Sequence, residues 1–258
     1  MVNVSSQSIF DILRLLSAAS RPLGIKEISQ NLGLPPSTAH RGVVTLLHEG
    51  YVERYQSSAT YVLGYNAKRL RQAFFARFRI RELSLPYLQQ IAFISGETTN
   101  LMVRVGWYST LIASVRGTNE IISSPFIGEV RELDRGAGSL AIMAHLPAED
   151  LKAFLDWKKT RSLHTSRRLK ETLAQIRHDG RIFIGDDGGV TALPILHDGS
   201  AIASIAIDGA IDDGMSKSDV KRIVDIVNAV SQRVQQHPVS FWNAYAHLDP
   251  ASIELPTS

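Results

Sequence analysis

Between Ile25 and Glu49 the chain reads IKEISQNLGLPPSTAHRGVVTLLHE, and the spacing of its apolar residues predicts two short helices joined by a tight turn. Ile25, Ile28 and Leu32 recur at helical intervals, Gly33 stops that helix, and Leu34 is expected as a buried residue of the turn. Pro36 suits the first position of the second helix, where its missing N–H costs nothing. Ala39, Val43 and Leu46 then share one face, about four residues apart. Steps of roughly 100° per residue gather Ser37, Arg41, Val44, Thr45 and His48 on the opposite face. That outer face suits a DNA major groove: hydroxyls and first-turn N–H groups for phosphate, arginine for guanine, valine for a thymine methyl. An ordinary helical hairpin with a solvated outer face fits the same pattern, so the surroundings decide between the two.

The chain has 258 residues, 44% of them apolar, which allows two domains and a sizeable core. There is no cysteine, which excludes disulfides, thiolate catalysis and Cys-based zinc sites. No run approaches the roughly 18 apolar residues of a membrane span, and MVNVSSQSIF lacks a basic segment followed by an apolar one. A cytoplasmic protein without a membrane partner is expected, and Asn3-Val4-Ser5 then matches a glycosylation acceptor by chance. The net charge of +3 is unevenly spread. Residues 1–81 hold eleven Lys/Arg against four Asp/Glu, and the remainder holds seventeen against twenty-one. A basic N-terminal third on an acidic remainder suggests a polyanion-binding module attached to something else.

Outward from the hairpin, Ser8–Ala19 predicts a first helix, with Ile9, Ile12, Leu13, Leu16 and Ala19 in one stripe, broken by Arg21-Pro22-Leu23-Gly24. After Gly50, Tyr51–Tyr55 and Thr60–Leu63 read as a β-hairpin around Gln56-Ser57-Ser58-Ala59. Three helices and a small hairpin make a winged helix-turn-helix. The wing tip has no lysine or arginine, which leaves backbone N–H groups and the hydroxyls of Ser57 and Ser58 for phosphate contacts. Asn66–Arg81 is a basic helical stretch with Leu70, Phe74, Phe75 and Phe78 along one side. It is expected as a linker helix whose aromatic stripe packs on another subunit; a solvated amphipathic helix and a membrane-surface helix share its composition.

From Glu82 onward helices and strands alternate. Helices are expected over Ser84–Ser95 (with Pro86 in the first turn), Gly138–His145, Glu149–Trp157, Arg167–Asp179 and from Ser216, where Asp219 resembles a capping-box partner. Strands are expected over Glu97–Val105, Thr110–Arg116, Ile121–Ser124, Val190–Leu196 and Ala201–Asp208, the last two joined by the hairpin turn His197-Asp198-Gly199-Ser200. This is an α+β arrangement with helices packed on an antiparallel sheet. After Pro238 the tail reads as irregular, with Phe241, Trp242 and Tyr245 either docked on the domain or at a subunit contact.

Taken in this order, the elements resemble the IclR family of bacterial transcriptional regulators over roughly Ser6–Gln236. The resemblance rests on Ile25-Lys26-Glu27-Ile28, Leu32-Gly33-Leu34-Pro35, Ser37-Thr38-Ala39-His40-Arg41, Leu46-Leu47, Gly50-Tyr51-Val52 and Tyr61-Val62-Leu63-Gly64. Downstream it rests on Gly96-Glu97-Thr98, Asn100-Leu101-Met102-Val103, Leu146-Pro147, Asp186-Asp187 and Leu193-Pro194-Ile195. The resemblance implies a winged helix-turn-helix domain over 1–65, a linker helix over 66–81, a GAF-like α/β effector-binding domain over 82–237 and an irregular tail over 238–258. It also implies homodimers or dimers of dimers on a palindromic double-stranded DNA operator near the promoter of a catabolic or transport operon. Repression or activation would depend on operator position. Candidate DNA contacts are Lys26, Pro36, Ser37, Thr38, His40, Arg41, Val44, Thr45 and His48, with Arg54, Ser57 and Ser58 in the wing. Candidate effector contacts are Asn100, Met102, Arg135, Gly136, Ala137, Gly138, Ser139, Asp186, Asp187, Val190, Ala206 and Asp208.

Three departures from the family pattern concern the effector. Asp186-Asp187 run straight into Gly188-Gly189-Val190 without the usual intervening segment, two strand positions that are often serine are Ala206 and Asp208, and the segment before the short helix reads Leu133-Asp134-Arg135-Gly136-Ala137-Gly138-Ser139. Family effectors are often small organic acids, which a carboxylate at Asp208 would repel unless Arg135 or another cation lies alongside. Loss of the ligand, with the domain kept for dimerisation, is the alternative. No catalysis, metal or cofactor is expected. His145, His164, His178 and His197 never fall at i, i+4 beside a carboxylate. Asp186, Asp187 and Asp208 read as turn formers, and Gly136-Ala137-Gly138-Ser139 lacks the lysine of a nucleotide loop. The rival is a small-molecule-binding or catalytic protein whose basic N-terminus mediates association only.

Overall fold

The computed structural model describes residues 6–56, 58–119, 126–161, 167–185, 189–209, 211 and 215–245. Ser57, the strand expected over Ile121–Ser124, His164, Asp186, Asp187 and the tail beyond Tyr245 lie outside the described residues. The chain divides into two compact units, Met1–Ala76 and Arg77–Ser258.

The N-terminal unit runs α1 (Ser6–Ala18), β1 (Leu23–Gly24), α2 (Ile25–Leu32), α3 (Pro36–His48), β2 (Val52–Arg54), β3 (Thr60–Leu63) and α4 (Tyr65–Phe75). Ile12, Leu16, Ile28, Ala39, Val43, Leu46, Val52 and Tyr61 form its core. Gly33 ends α2 in the left-handed region at φ 61°, where glycine avoids the Cβ clash. Leu34, expected to be buried, is half-buried; its backbone closes the turn by bonding Ser29 in both directions. The break before α2 also does more than interrupt a helix. Leu23 and Gly24 pair with Tyr61 and Thr60, so the wing is a three-stranded sheet in the order β1-β3-β2.

The helix expected over Asn66–Arg81 is divided. α4 ends at Phe75, and α5 begins at Arg79 and continues to Ser95. Phe78 sits at the break with φ −111° and ψ 82° and is buried. Burying that ring requires leaving the helical path. Pro86 consequently falls inside α5 rather than in a first turn. It removes one backbone bond, while Ile80, Ser84, Leu88, Ile91 and Ala92, buried at helical spacing, hold the helix together.

The C-terminal unit continues with β4 (Thr99–Val105), β5 (Tyr108–Val115), β6 (Val130–Glu132), α6 (Ala137–Ala144), α7 (Ala148–Arg161), α8 (Arg167–Asp179), β7 (Ile182–Ile184), β8 (Val190–His197), β9 (Ser200–Asp208), α9 (Lys217–Val234) and α10 (Val239–Trp242). Its six strands pair antiparallel in the order β6-β5-β4-β9-β8-β7. Asp198 and Gly199 both take positive φ, 50° and 78°, the conformation that matches a two-residue hairpin turn to strand twist. Helices α5 and α9 pack on one face, and α6 crosses the other. Ser216 caps α9 by accepting the Asp219 N–H at 3.1 Å.

The segment after Pro238 is not wholly irregular: Val239–Trp242 makes one helical turn. Trp242 is buried and donates its ring N–H to the Val234 carbonyl at 2.7 Å, and Phe241 stacks on His237 and under Arg79. These aromatics dock on their own unit.

A candidate DNA-reading face and a candidate effector site

Helix α3 is amphipathic in the sense its sequence requires. Ala39, Gly42, Val43 and Leu46 face the core, whereas Ser37, His40, Val44, Thr45 and His48 are exposed and Thr38 and Arg41 are half-buried at the surface. Val44, at 46% exposure, is an apolar residue held out to solvent by this geometry. Arg41 Nε donates to the Ser37 carbonyl at 3.3 Å, and Thr45 donates its hydroxyl to the Arg41 carbonyl at 3.0 Å. With its proton committed to the helix, the Thr45 oxygen faces outward as an acceptor, beside its methyl group. His48 Nδ1 lies 2.9 Å from Glu49 Oε1. Pro36 opens the helix with no side-chain cap before it, and Lys26 stands exposed on α2.

In the wing, Arg54 is exposed, with its guanidinium 6.0 Å from the Tyr61 ring centre. The Ser58 hydroxyl donates to the Tyr55 carbonyl and lies 2.6 Å from the Thr60 hydroxyl. It closes the turn rather than standing ready for phosphate. At the foot of the unit, Arg21 and the Gly24 N–H both bond the Glu27 carboxylate and hold its pKa below the usual range.

The second site is assembled by sheet register. Asn100 pairs with Ala206, and Met102 with Ser204, across β4 and β9. Side chains two apart share a face, so Asn100, Met102, Ser204, Ala206 and Asp208 point the same way. This is the α6 face: Ser204 donates to the Gly138 carbonyl at 2.8 Å, and a Cβ on Gly138 would stand 2.5 Å from Met102 Sδ. A side chain at that position would have to displace Met102 from between α6 and the sheet. Ser139 is fully buried, its hydroxyl 2.6 Å from that of Ser109. Gly136 precedes α6 at φ 82°, and no side chain caps the helix. Val190 opens β8 and bridges to Gly209, beside Asp208.

Arg135, expected as the cation beside Asp208, is exposed and in the turn before α6. The cation acting on Asp208 is Arg131 of β6. Ser109, Ser204 and Arg131 were not singled out in the sequence. Ser204 was findable, because it shares the alternating phase of Ala206 and Asp208.

Asn100 Nδ2 donates to Asp208 Oδ1 at 3.3 Å, while Asn100 Oδ1 and Asp208 Oδ2 are buried without a hydrogen-bond partner. Burial, then the neighbouring Glu97 carboxylate, push the Asp208 pKa up to about 6, with Arg131 opposing. In the unfolded chain it titrates near 3.9. The stability tied to its proton is thus fully present below about pH 3.9 and lost as pH rises through about 6. Two units set a ceiling of about 3 kcal/mol, which solvent access to a half-buried group reduces to about 1–2 kcal/mol. Asp208→Asn is accordingly expected to raise the urea midpoint of this unit at pH 8 and leave it unchanged at pH 4. An unchanged midpoint at pH 8 would mean that the charge carries no penalty.

A separate cavity of about 800 Å³ opens among Arg104, Asp150, His197, Gln235, Asn243 and Tyr245, where the far ends of β4 and β9 meet the end of α9. None of the expected effector residues lines it. Arg104 there is bonded to Asp150 at 2.6 Å and to the Gly106 carbonyl. Among the described residues no three His, Cys, Asp or Glu gather as a metal site, and no helix is long and apolar enough to cross a membrane.

Comparison with known proteins adds to this geometry. The model of the IclR helix-turn-helix domain matches residues 9–55, and that of the bacterial transcriptional regulator IclR C-terminal domain matches residues 72–234. The chain is 32% identical over 210 residues to the HTH-type transcriptional regulator BhcR of Paracoccus denitrificans, covering 77% of this chain and 75% of that one. The crystal structure of the Thermotoga maritima IclR superposes with a TM-score of 0.70 at 24% identity, over 89% of this chain and 96% of that one. An IclR homologue from Microbacterium hydrocarbonoxydans, complexed with 4-hydroxybenzoate, gives 0.70 at 17% identity over 89% and 98%. The two structural likenesses are likenesses of fold.

Proposed function

The chain belongs to the IclR family of bacterial transcriptional regulators, and we propose from this that α3 reads an operator half-site while the α6 face of the C-terminal sheet binds a small-molecule effector. The observation that carries the first half is the outer face of α3, where Ser37, Arg41, Val44, Thr45 and His48 stand together on a helix whose reverse side is locked into the core. The net positive charge of residues 1–81 supports attraction to a polyanion.

A homodimer acting in the cytoplasm completes the reading. Phe10 on α1 and Leu70 on α4 are each 60% exposed, and α4 buries no residue within the chain. Apolar side chains on two helices of one unit support self-association. Dimeric readers place two recognition helices about 34 Å apart on a palindrome. An effector then acts only if it binds one subunit geometry better than the other, because equal affinity shifts nothing.

The test is a gel shift with DNA upstream of the protein's own gene at two salt concentrations. A sequence-preferring complex is expected, with affinity falling by on the order of 10³ between about 50 and about 200 mM salt. Ser37→Ala and Thr38→Ala should weaken all sequences alike. Absence of any sequence-preferring shift at low salt would favour a sensor whose basic unit serves association only.

A further inference from the structure

The Asp208 end of the α6 face has a specific chemical need. Two buried acceptors, Asn100 Oδ1 and Asp208 Oδ2, have no donor, although Asn100 is only 3% exposed. The Asn100 amide already donates to the other Asp208 oxygen, and the Asp208 backbone N–H goes to the Thr98 carbonyl at 2.9 Å. Neither of these contacts reaches Asn100 Oδ1 or Asp208 Oδ2. A buried acceptor without a donor is a standing penalty, larger for a charged group. The charges around it do not supply the remedy: Glu97 is a like charge, and Arg131 spends its Nε on Glu129 at 2.5 Å. The strand neighbours Ala206 and Ala192 are small.

Resting on the reading of this face as the effector site, we propose that the effector is an amino-acid-like zwitterion, its ammonium donating to Asp208 Oδ2 and Asn100 Oδ1 and its carboxylate lying at the start of α6. An ammonium has three donors, enough for both acceptors at once, and its charge offsets the pair Asp208 and Glu97. A hydroxyl has one donor and no charge. The start of α6 suits the carboxylate because the helix has no capping side chain and carries the positive end of its dipole there. Gly136, at that start, lies beside Arg131, with 3.3 Å between Arg131 Nη1 and the position of a Cβ, and Arg131 also acts on Asp208. Arg131 thus stands at the start of α6 and acts electrostatically on Asp208. A simple organic acid satisfies one end and leaves the two acceptors orphaned.

The experiment uses the full chain and a panel of the standard amino acids plus β-alanine and 4-aminobutanoate. Each is paired with its deaminated acid and read by thermal shift and by calorimetric titration. At least one amino acid is expected to bind ten-fold or more tightly than its deaminated partner, and Asp208→Asn is expected to abolish that difference while the acid binds as before. Two outcomes overturn the proposal alone: acids binding as tightly as their amino acids, or an amino-acid preference that survives Asp208→Asn. Binding by no member of either series removes the effector reading of this face together with it.

Discussion

Replacing Lys158 by methionine lowers the stability of the C-terminal unit by about 3 kcal/mol, the low end of what removing one partner of a buried ion pair costs. Lys158 lies on α7 and is 8% exposed. Its ammonium bonds the carboxylates of Glu132 and Asp134, the latter at 3.0 Å. Burial alone would lower the lysine pKa, but the bonds to Glu132 and Asp134 outweigh it and hold it above the ordinary value. A raised folded-state pKa gives stability that is present below the unfolded value of about 10.4 and lost only as pH rises through the folded one. The contribution should therefore persist across the neutral range. Without the ammonium, two partly buried carboxylates on either side of Leu133 repel each other. All three tryptophans, Trp107, Trp157 and Trp242, belong to this unit, so urea unfolding followed by tryptophan fluorescence reports on it selectively. Adding Glu132→Gln and Asp134→Asn to Lys158→Met should recover most of the loss, because neutral groups need no counter-charge. A wild-type midpoint for the single variant would show that the cluster is solvated rather than structural.

That cluster was not legible in the sequence, and the reason is physical. α7 reads AEDLKAFLDWKKTR, with lysines and acids at positions that suit a solvated face. Only tertiary packing decides that Lys158 turns inward while Lys159 stays out beside Asp156. The recognition hairpin was legible because helical period, a left-handed glycine and an N1 proline are all local signals. The β8–β9 hairpin was legible from Asp198-Gly199. Strands β6 and β7 have three residues each, too few for an alternation to register. The loss of β6 had a consequence at the site, because Arg131 lies on it and was passed over for Arg135. The pairing of Asn100 with Asp208 spans 108 residues of chain and exists only through the register of β4 on β9. Small residues along that face suggested an effector site through resemblance, whereas the orphaned acceptors that give it a chemical preference are visible only in three dimensions.

At the DNA end, the expected result with the largest effect is for Arg41→Ala, which should weaken operator binding by about 1–3 kcal/mol, roughly 10- to 100-fold, and relax the preference at one base position. Folding should barely change. Arg41 projects from the side of α3 opposite Ala39, Val43 and Leu46, with its Nε donating to the Ser37 carbonyl at 3.3 Å. Surface changes of that kind fall within about 0.5 kcal/mol. Affinity and stability are thus separable by measuring both on one preparation. The salt dependence distinguishes the two roles an arginine can have. If Arg41 contacts a base edge, the variant keeps the wild-type slope of log affinity against log salt and loses discrimination. If it contacts a phosphate, the slope falls by about 1 and all sequences weaken alike. Arg41→Lys sharpens the distinction, because lysine keeps the charge but lacks the planar fork that fits guanine. It should restore non-specific affinity without restoring the base preference. A variant that binds its operator with unchanged affinity and preference would move the reading face away from Arg41, toward the Thr38 and His40 flank of the same helix.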